Sequence, residues 1–176
     1  MFVVFRSAFD EINSGSEKYS YADLFTLFIE RGCDVNATRL GSTVLHLAVI
    51  EKQEILVRKL LISGAEIDRR DEYGFTPLFY ACRRGSQRFV DLLIIAGAKL
   101  CTQNWRNNLI ISGNEESIKM LIYINDKSKQ CHTLENLCYI SIRKRLQNVE
   151  RDAFQLGLPP LLIRRLQLKD CSNYVG

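Results

Sequence analysis

The sequence predicts an all-α chain: a solenoid of stacked helix pairs followed by a helical tail. Punctuation recurs at a fixed interval, since Thr43, Leu45, Ala48, Gly64 and Ala65 each lie 33 positions before Thr76, Leu78, Ala81, Gly97 and Ala98. A common spacing across residue types of different physical purpose marks a stacked repeat. Apolar residues also return at helical spacing, as in Phe89, Val90, Leu92, Leu93 and Ile94, which is the pattern of a helix with one buried face. Finally, 47% of the 176 residues are apolar and 25% charged. That balance is ordinarily globular and supplies enough chain for a sizeable core.

The predicted order is four repeats at 1–37, 38–70, 71–103 and 104–124, a connector at 125–131, and a tail at 132–171. The unit is clearest from Asp71 onward. Asp71 and Gly74 suit a tight turn, one through its side-chain acceptor and the other through its tolerance of positive φ. Thr76 stands at a helix N-cap and Pro77 at the first helical position, where its missing N–H loses nothing. Ala81 is small enough for a neighbouring helix to approach, Gly85 reverses the chain, and Gly97 ends the second helix. Such a pair cannot bury its own apolar faces and must stack on neighbours. The preceding copy keeps His46, but has Val44 in place of the Pro and Lys52 where Gly85 stands.

The outer copies are worn. In the first, Val3, Val4, Phe5, Ala8, Phe9 and Ile12 read as one helix, a polar insertion covers 13–18, and Leu24, Leu27, Phe28 and Ile29 form a second helical face ending at Gly32. In the fourth, Gly113 to Ile122 matches Gly85 to Ile94 at an offset of 28, which shortens the preceding helix. Asn125 takes the place of the terminating glycine and opens a polar connector. Terminal units have one face without a neighbour, so such wear is expected there.

The tail leaves the period. Thr133 is placed as an N-cap, and Leu134, Leu137, Cys138, Ile142 and Leu146 follow at helical spacing. Glu135 lies in the first turn and Arg143, Lys144 and Arg145 in the last, as the helix dipole prefers. Pro159-Pro160 breaks the chain before a second apolar run of Leu161, Leu162, Ile163, Leu166 and Leu168. On pattern alone this tail is a helical cap on the solenoid.

Two resemblances add to this reading. Thr76, Pro77, Leu78 and Ala81 resemble the Thr-Pro-Leu-His-x-Ala core of the ankyrin repeat, with Phe79 where that family usually has His; Gly32-Cys33-Asp34-Val35-Asn36 resembles its Gly-Ala-Asp-Val-Asn. In the tail, Thr133, Leu134, Leu137, Cys138, Ile142, Arg143 and Leu146 match the first motif of the suppressor-of-cytokine-signalling (SOCS) box. That resemblance implies a three-helix-type box whose first helix binds elongin C, and with it elongin B, through Leu134, Leu137, Cys138, Ile142 and Leu146. Leu156, Leu158, Pro159, Leu162 and Leu166 resemble the family's cullin-binding motif, with Gly157 for its first Pro and Arg165 for its Tyr. Cullin-5 is the implied partner, held less firmly than by a full motif.

The chemistry of the side chains points away from catalysis. No glycine-rich phosphate loop, nucleophile elbow or metal-ligand cluster appears. The six cysteines, at 33, 82, 101, 131, 138 and 171, contain no Cys-x-x-Cys pair, so zinc is not indicated and no cofactor is expected. Buried free thiols fit a reducing compartment. The opening MFVVF is too short for a signal peptide, and no run reaches the length of a membrane span. A cytoplasmic protein, with the nucleus as the other compartment, is therefore expected. Net charge is +4 with the cations dispersed, which does not indicate a nucleic-acid surface.

The resemblances imply a substrate-recognition adaptor of an elongin B/C–cullin–RING ubiquitin ligase, its repeats binding a protein target. The alternative is an ankyrin interaction scaffold whose tail only caps the stack. Target-binding candidates are the non-consensus residues of the hairpins and first helices: Arg39, Leu40, Leu47, Ile50, Glu72, Tyr73, Phe75, Tyr80, Arg83 and Arg84. Aromatic and Arg side chains are the types that anchor interfaces. The competing reading is that Tyr73 and Phe75 pack on neighbouring hairpins.

Overall fold

The computed structural model describes residues 27–29, 31–100, 115–129 and 134–168. The first helix and polar insertion expected in repeat one, and the cap expected at Thr133, lie outside these residues. A two-stranded hairpin, β1 (Thr38–Arg39) and β2 (Ser42–Thr43), opens the well-formed part, with Thr38 opposite Thr43 and Arg39 opposite Ser42. Its two-residue loop has positive φ at both positions, 50° at Leu40 and 71° at Gly41, the conformation whose twist suits paired strands.

Two helix pairs follow: α1 (Val44–Ile50) with α2 (Glu54–Ile62), and α3 (Pro77–Arg83) with α4 (Gln87–Ile95). At α1 the Thr43 hydroxyl accepts from the His46 N–H, while the Thr43 N–H donates to His46 Nδ1 at 3.1 Å. This is a reciprocal cap in which an imidazole replaces the usual carboxylate. At α3 the expectation is only half met, because Thr76 occupies the N-cap in extended backbone but its side chain makes no capping bond. The start there rests on Pro77, whose fixed φ already suits the first turn. The second helices close alike, the Ala65 N–H reaching the Leu60 carbonyl at 3.0 Å and the Ala98 N–H the Leu93 carbonyl at 2.9 Å. Gly64 and Gly97 supply the left-handed residue that this closure needs.

α1 packs on α3, and each on its own second helix. The small residues sit at the contact, Ala48 at 1% and Ala81 at 0% exposure, among Leu45, Val49, Leu60, Leu78, Val90 and Leu93. One continuous core results, and it extends to Met120 and Ile124 of α5 (Glu115–Lys129). α5 closes the stack by packing on α3, its Ser117 hydroxyl donating to the Arg83 carbonyl at 3.2 Å and its Tyr123 hydroxyl donating to Asp91 on α4. The polar connector expected from Asn125 is, as far as Lys129, the last part of this helix. Asn125 does not stop it because no Gly or Pro follows. An i,i+3 pair of Lys129 with Asp126 and the ammonium of Lys127 over the Tyr123 ring support the extra turn instead.

The tail forms three short helices, α6 (Leu134–Arg145), α7 (Val149–Gln155) and α8 (Pro160–Leu166). The sequence pattern located the outer two. α7 begins at Asn148, whose side chain accepts from the Arg151 N–H, and Asp152 accepts from the Gln147 and Asn148 N–H groups. Pro160 lies inside the start of α8, so the Pro-Pro step initiates a helix as well as breaking one. Val149, Ala153, Ile163 and Leu166 make a second core, and Ile62 of α2 belongs to it. The tail thus seats on the ends of the second helices. A Cβ at Gly64 would stand 2.1 Å from the Gln147 carbonyl oxygen, and one at Gly97 2.9 Å from Ile140. Leu168 enters the solenoid core, and its carbonyl accepts from the Arg58 guanidinium.

Candidate functional site

The tight turn from Asp71 to Phe75, which is the hairpin of the third repeat, is built around one carboxylate. Asp71 is 7% exposed; one oxygen accepts the Tyr73 and Phe75 N–H groups at 3.0 and 2.9 Å, and the other accepts the Tyr80 hydroxyl at 2.5 Å. Burial and then this hydrogen bond raise the Tyr80 phenol well above its ordinary range. The Phe75 ring lies flat on Phe79 at 3.9 Å, and its carbonyl meets His46 Nε2 at 3.1 Å. Since Nδ1 accepts from Thr43, Nε2 carries the proton, and His46 ties one repeat to the next as a neutral donor.

This arrangement makes stability depend on pH. Desolvation, partly opposed by Phe75 and Asp71, lowers the His46 pKa below its ordinary 6.5, so the unfolded chain takes up a proton before the folded one does. Stability from neutral His46 is complete above that value and falls as pH drops toward the folded pKa, by up to about 1.4 kcal/mol per pH unit. Urea unfolding at pH about 7.5 and about 5.5 should show the loss, and His46→Gln should flatten it. An equal loss in the variant would remove His46 as its cause.

These contacts divide the target-binding candidates. Phe75 and the Tyr80 hydroxyl are engaged within the hairpin, and Phe75 and Leu47 are partly buried against the core. Leu40 and Tyr73 are each 69% exposed at hairpin tips, near exposed Arg39 and Glu72. Arg83 and Arg84 line a groove of about 670 Å³ whose walls come from the ends of α1 and α3 and the start of α5. Ile50 and the Tyr80 ring face it too, and Lys52, Glu116 and Ser117 complete it. In the sequence Lys52 stands out only as a departure from glycine. Glu116 and Ser117 enter through the way α5 closes the stack, which no period displays.

The tail residues divide as well. Leu134 is 78% exposed, Leu137 46%, and Cys138 is exposed. Ile142, one turn further along α6, and Leu146, just past its end, pack against the tail's own core. Of the residues resembling a cullin motif, Leu166 is fully buried and Leu158 and Leu162 are packed beside it, while Leu156 and Pro159 face outward. Leu161, of the second apolar run, and Phe154, which no sequence pattern marked, are exposed neighbours. The two departures have physical reasons. Gly157 holds φ 63° and donates its N–H to the Phe154 carbonyl at 3.1 Å, neither of which Pro allows. Arg165 pairs with Glu135 and lies over the Tyr139 ring at 5.6 Å, tying α8 to α6.

Among the described residues no group of His, Cys, Asp and Glu is placed to hold a metal ion, and no helix is long and apolar enough to cross a membrane. Cys33, Cys82 and Cys138 are free thiols, and burial pushes Cys82 up to about 12.

The chain matches the family model described as ankyrin repeats (3 copies) over residues 16–104, a span that takes in the hairpins and α1 to α4. It is similar to chicken NF-kappa-B inhibitor alpha, at 48% identity over 54 residues, covering 31% of this chain and 17% of that protein. The mouse nuclear factor NF-kappa-B p105 subunit is 40% identical over 82 residues, covering 45% of this chain and 8% of the relative. Ankyrin repeat protein OPG189 of variola virus is 31% identical over 91 residues, covering 51% and 16%. The chain therefore spans less than a fifth of the length of each of these relatives.

Proposed function

Because the chain belongs to the ankyrin-repeat family, whose members are generally non-catalytic interaction modules, we propose that it is a protein-binding module holding a partner along the groove between α1, α3 and α5. The observation that carries this reading is the convergence there of Arg83, Arg84 and the Tyr80 ring, residue types that anchor interfaces, on a rigid wall of stacked helices. The chemistry is positioning. Arg83 and Arg84 are exposed, so changing both to Ala spares the core. Proximity labelling with the intact chain and with that double variant should differ by a defined set of proteins. If every neighbour survives, the groove is not the binding surface.

A second reading is favoured by one observation on α6: Leu134, Leu137 and Cys138, three members of the resemblance to the elongin-binding motif, stand exposed on one stretch of helix. On this reading the tail joins elongin C and B, and through them cullin-5, so that a target held by the repeats lies beside a ubiquitin-conjugating enzyme at raised effective concentration. Capping and docking are compatible. The later part of α6 packs with α7 and α8 on the core that includes Ile62, while Leu134, Leu137 and Cys138 stay exposed.

A further inference from the structure

We infer that the groove binds an acidic segment of a partner protein, one that carries Asp and Glu side chains around an apolar contact; this rests on the reading of the groove as a protein-binding site. Three cations line it, Lys52, Arg83 and Arg84, against one carboxylate, Glu116. Lys119 pairs with Glu116 at 3.4 Å, so the carboxylate is answered from its own helix. Among the described residues, by contrast, no ion pair engages Lys52, Arg83 or Arg84. A concave site with unanswered positive charge attracts and orients an anionic partner.

The backbone gives an independent sign. Lys52 has φ 56°, a left-handed conformation that is strained for any residue with a Cβ. The equivalent turn of the next repeat uses Gly85, at φ 65°. The turn is thus glycine's by conformation, yet it carries an ammonium at the rim of the groove. Strain retained beside a cleft is a mark of function. The floor decides the class of anion. Tyr80 has given its hydroxyl to Asp71, leaving the ring, and Ile50 lies beside it, so the groove offers apolar contact between cations. Peptide side chains of both kinds match that. A phosphate backbone would meet Glu116 among the lining residues, where a peptide can turn an apolar side chain to the floor.

The test uses the full chain and a fluorescently labelled peptide of Asp and Glu interrupted by single Leu residues, followed by anisotropy. A Lys-for-acid version and a single-stranded oligothymidylate serve as the other probes. Only the acidic peptide should bind, more weakly as salt rises. Lys52→Gly should raise or preserve the melting temperature, because glycine relieves the turn, and yet weaken binding about threefold; Arg84→Glu should weaken it about tenfold. Unchanged affinity in both variants, or equal binding of the oligonucleotide, would overturn the inference. If partners are lost from proximity labelling by Arg83→Ala/Arg84→Ala while the acidic peptide never binds, the groove is a binding site for something else. If neither responds, the reading of the groove itself falls.

Discussion

Replacing Asp71 with alanine is expected to lower the unfolding free energy by about 2 to 4 kcal/mol, the largest loss from any single change outside the apolar core. The carboxylate is nearly buried, accepts two backbone N–H groups and one phenol, and so joins the start of the third hairpin to α3. Alanine leaves the Phe75 and Tyr73 N–H groups and the Tyr80 hydroxyl without that acceptor. It also frees the hairpin whose Phe75 carbonyl is met by His46, so the loss spreads to the preceding repeat. Asp71→Asn keeps one carbonyl oxygen for the two N–H groups and should cost less than half as much. Urea denaturation of the three proteins checks this; a change below about 0.5 kcal/mol for Asp71→Ala would mean that solvent replaces the carboxylate at no cost.

Asp71 also shows where sequence reading succeeds. Its turn role was legible because a side-chain acceptor two to four residues before the groups it binds is a local feature. The same holds for Pro77, Gly64 and Gly97, and for Ala48 and Ala81, whose small size at the period's contact position is a property of the residue. That the Tyr80 hydroxyl would be held by Asp71 was not legible, because it depends on where the first helix places a ring relative to a hairpin nine residues earlier. Lys52 was visible as a missing glycine, but not that it would keep glycine's φ. The continuation of α5 past Asn125 was hidden because helix ends are marked by weak signals when no Gly or Pro follows.

The tail was legible in its apolar spacing and illegible in its partition. Leu134 and Ile142 share a helix and an apolar character, and nothing local says that the first is 78% exposed while the second packs against the core that includes Val149. The difference is tertiary: Ile142 faces the core that α7 and α8 form, whereas Leu134 stays exposed although Arg165 of α8 reaches Glu135 beside it. Likewise Gly157 and Arg165 read as departures from a motif. In the structure they are a left-handed turn and an inter-helix tie, so substituting the motif's Pro and Tyr would break both.

Leu134→Ala combined with Cys138→Gln is expected to abolish recovery of elongin B and C while leaving the repeats folded. The reasoning starts from exposure: Leu134 is 78% exposed and Cys138 exposed, so neither supports the fold of this chain, and truncating them should leave the melting temperature within about 1 °C. A partner groove laid over the first turns of α6 would bury both, together with Leu137, and a compact thiol at the centre of such a stripe permits close approach. Loss of buried anchors costs roughly 2 to 4 kcal/mol, which is about 30- to 1,000-fold in affinity. Ile142 and Leu146 are the internal comparison. They belong to the same motif but pack in the tail's own core, so Ile142→Ala should lower the melting temperature and weaken elongin recovery only as far as it unfolds the tail. Pull-down of endogenous elongins with each variant, beside its thermal melt, separates the two roles. If the intact chain recovers no elongin, the exposed turns of α6 serve another partner and the tail is a cap on the solenoid.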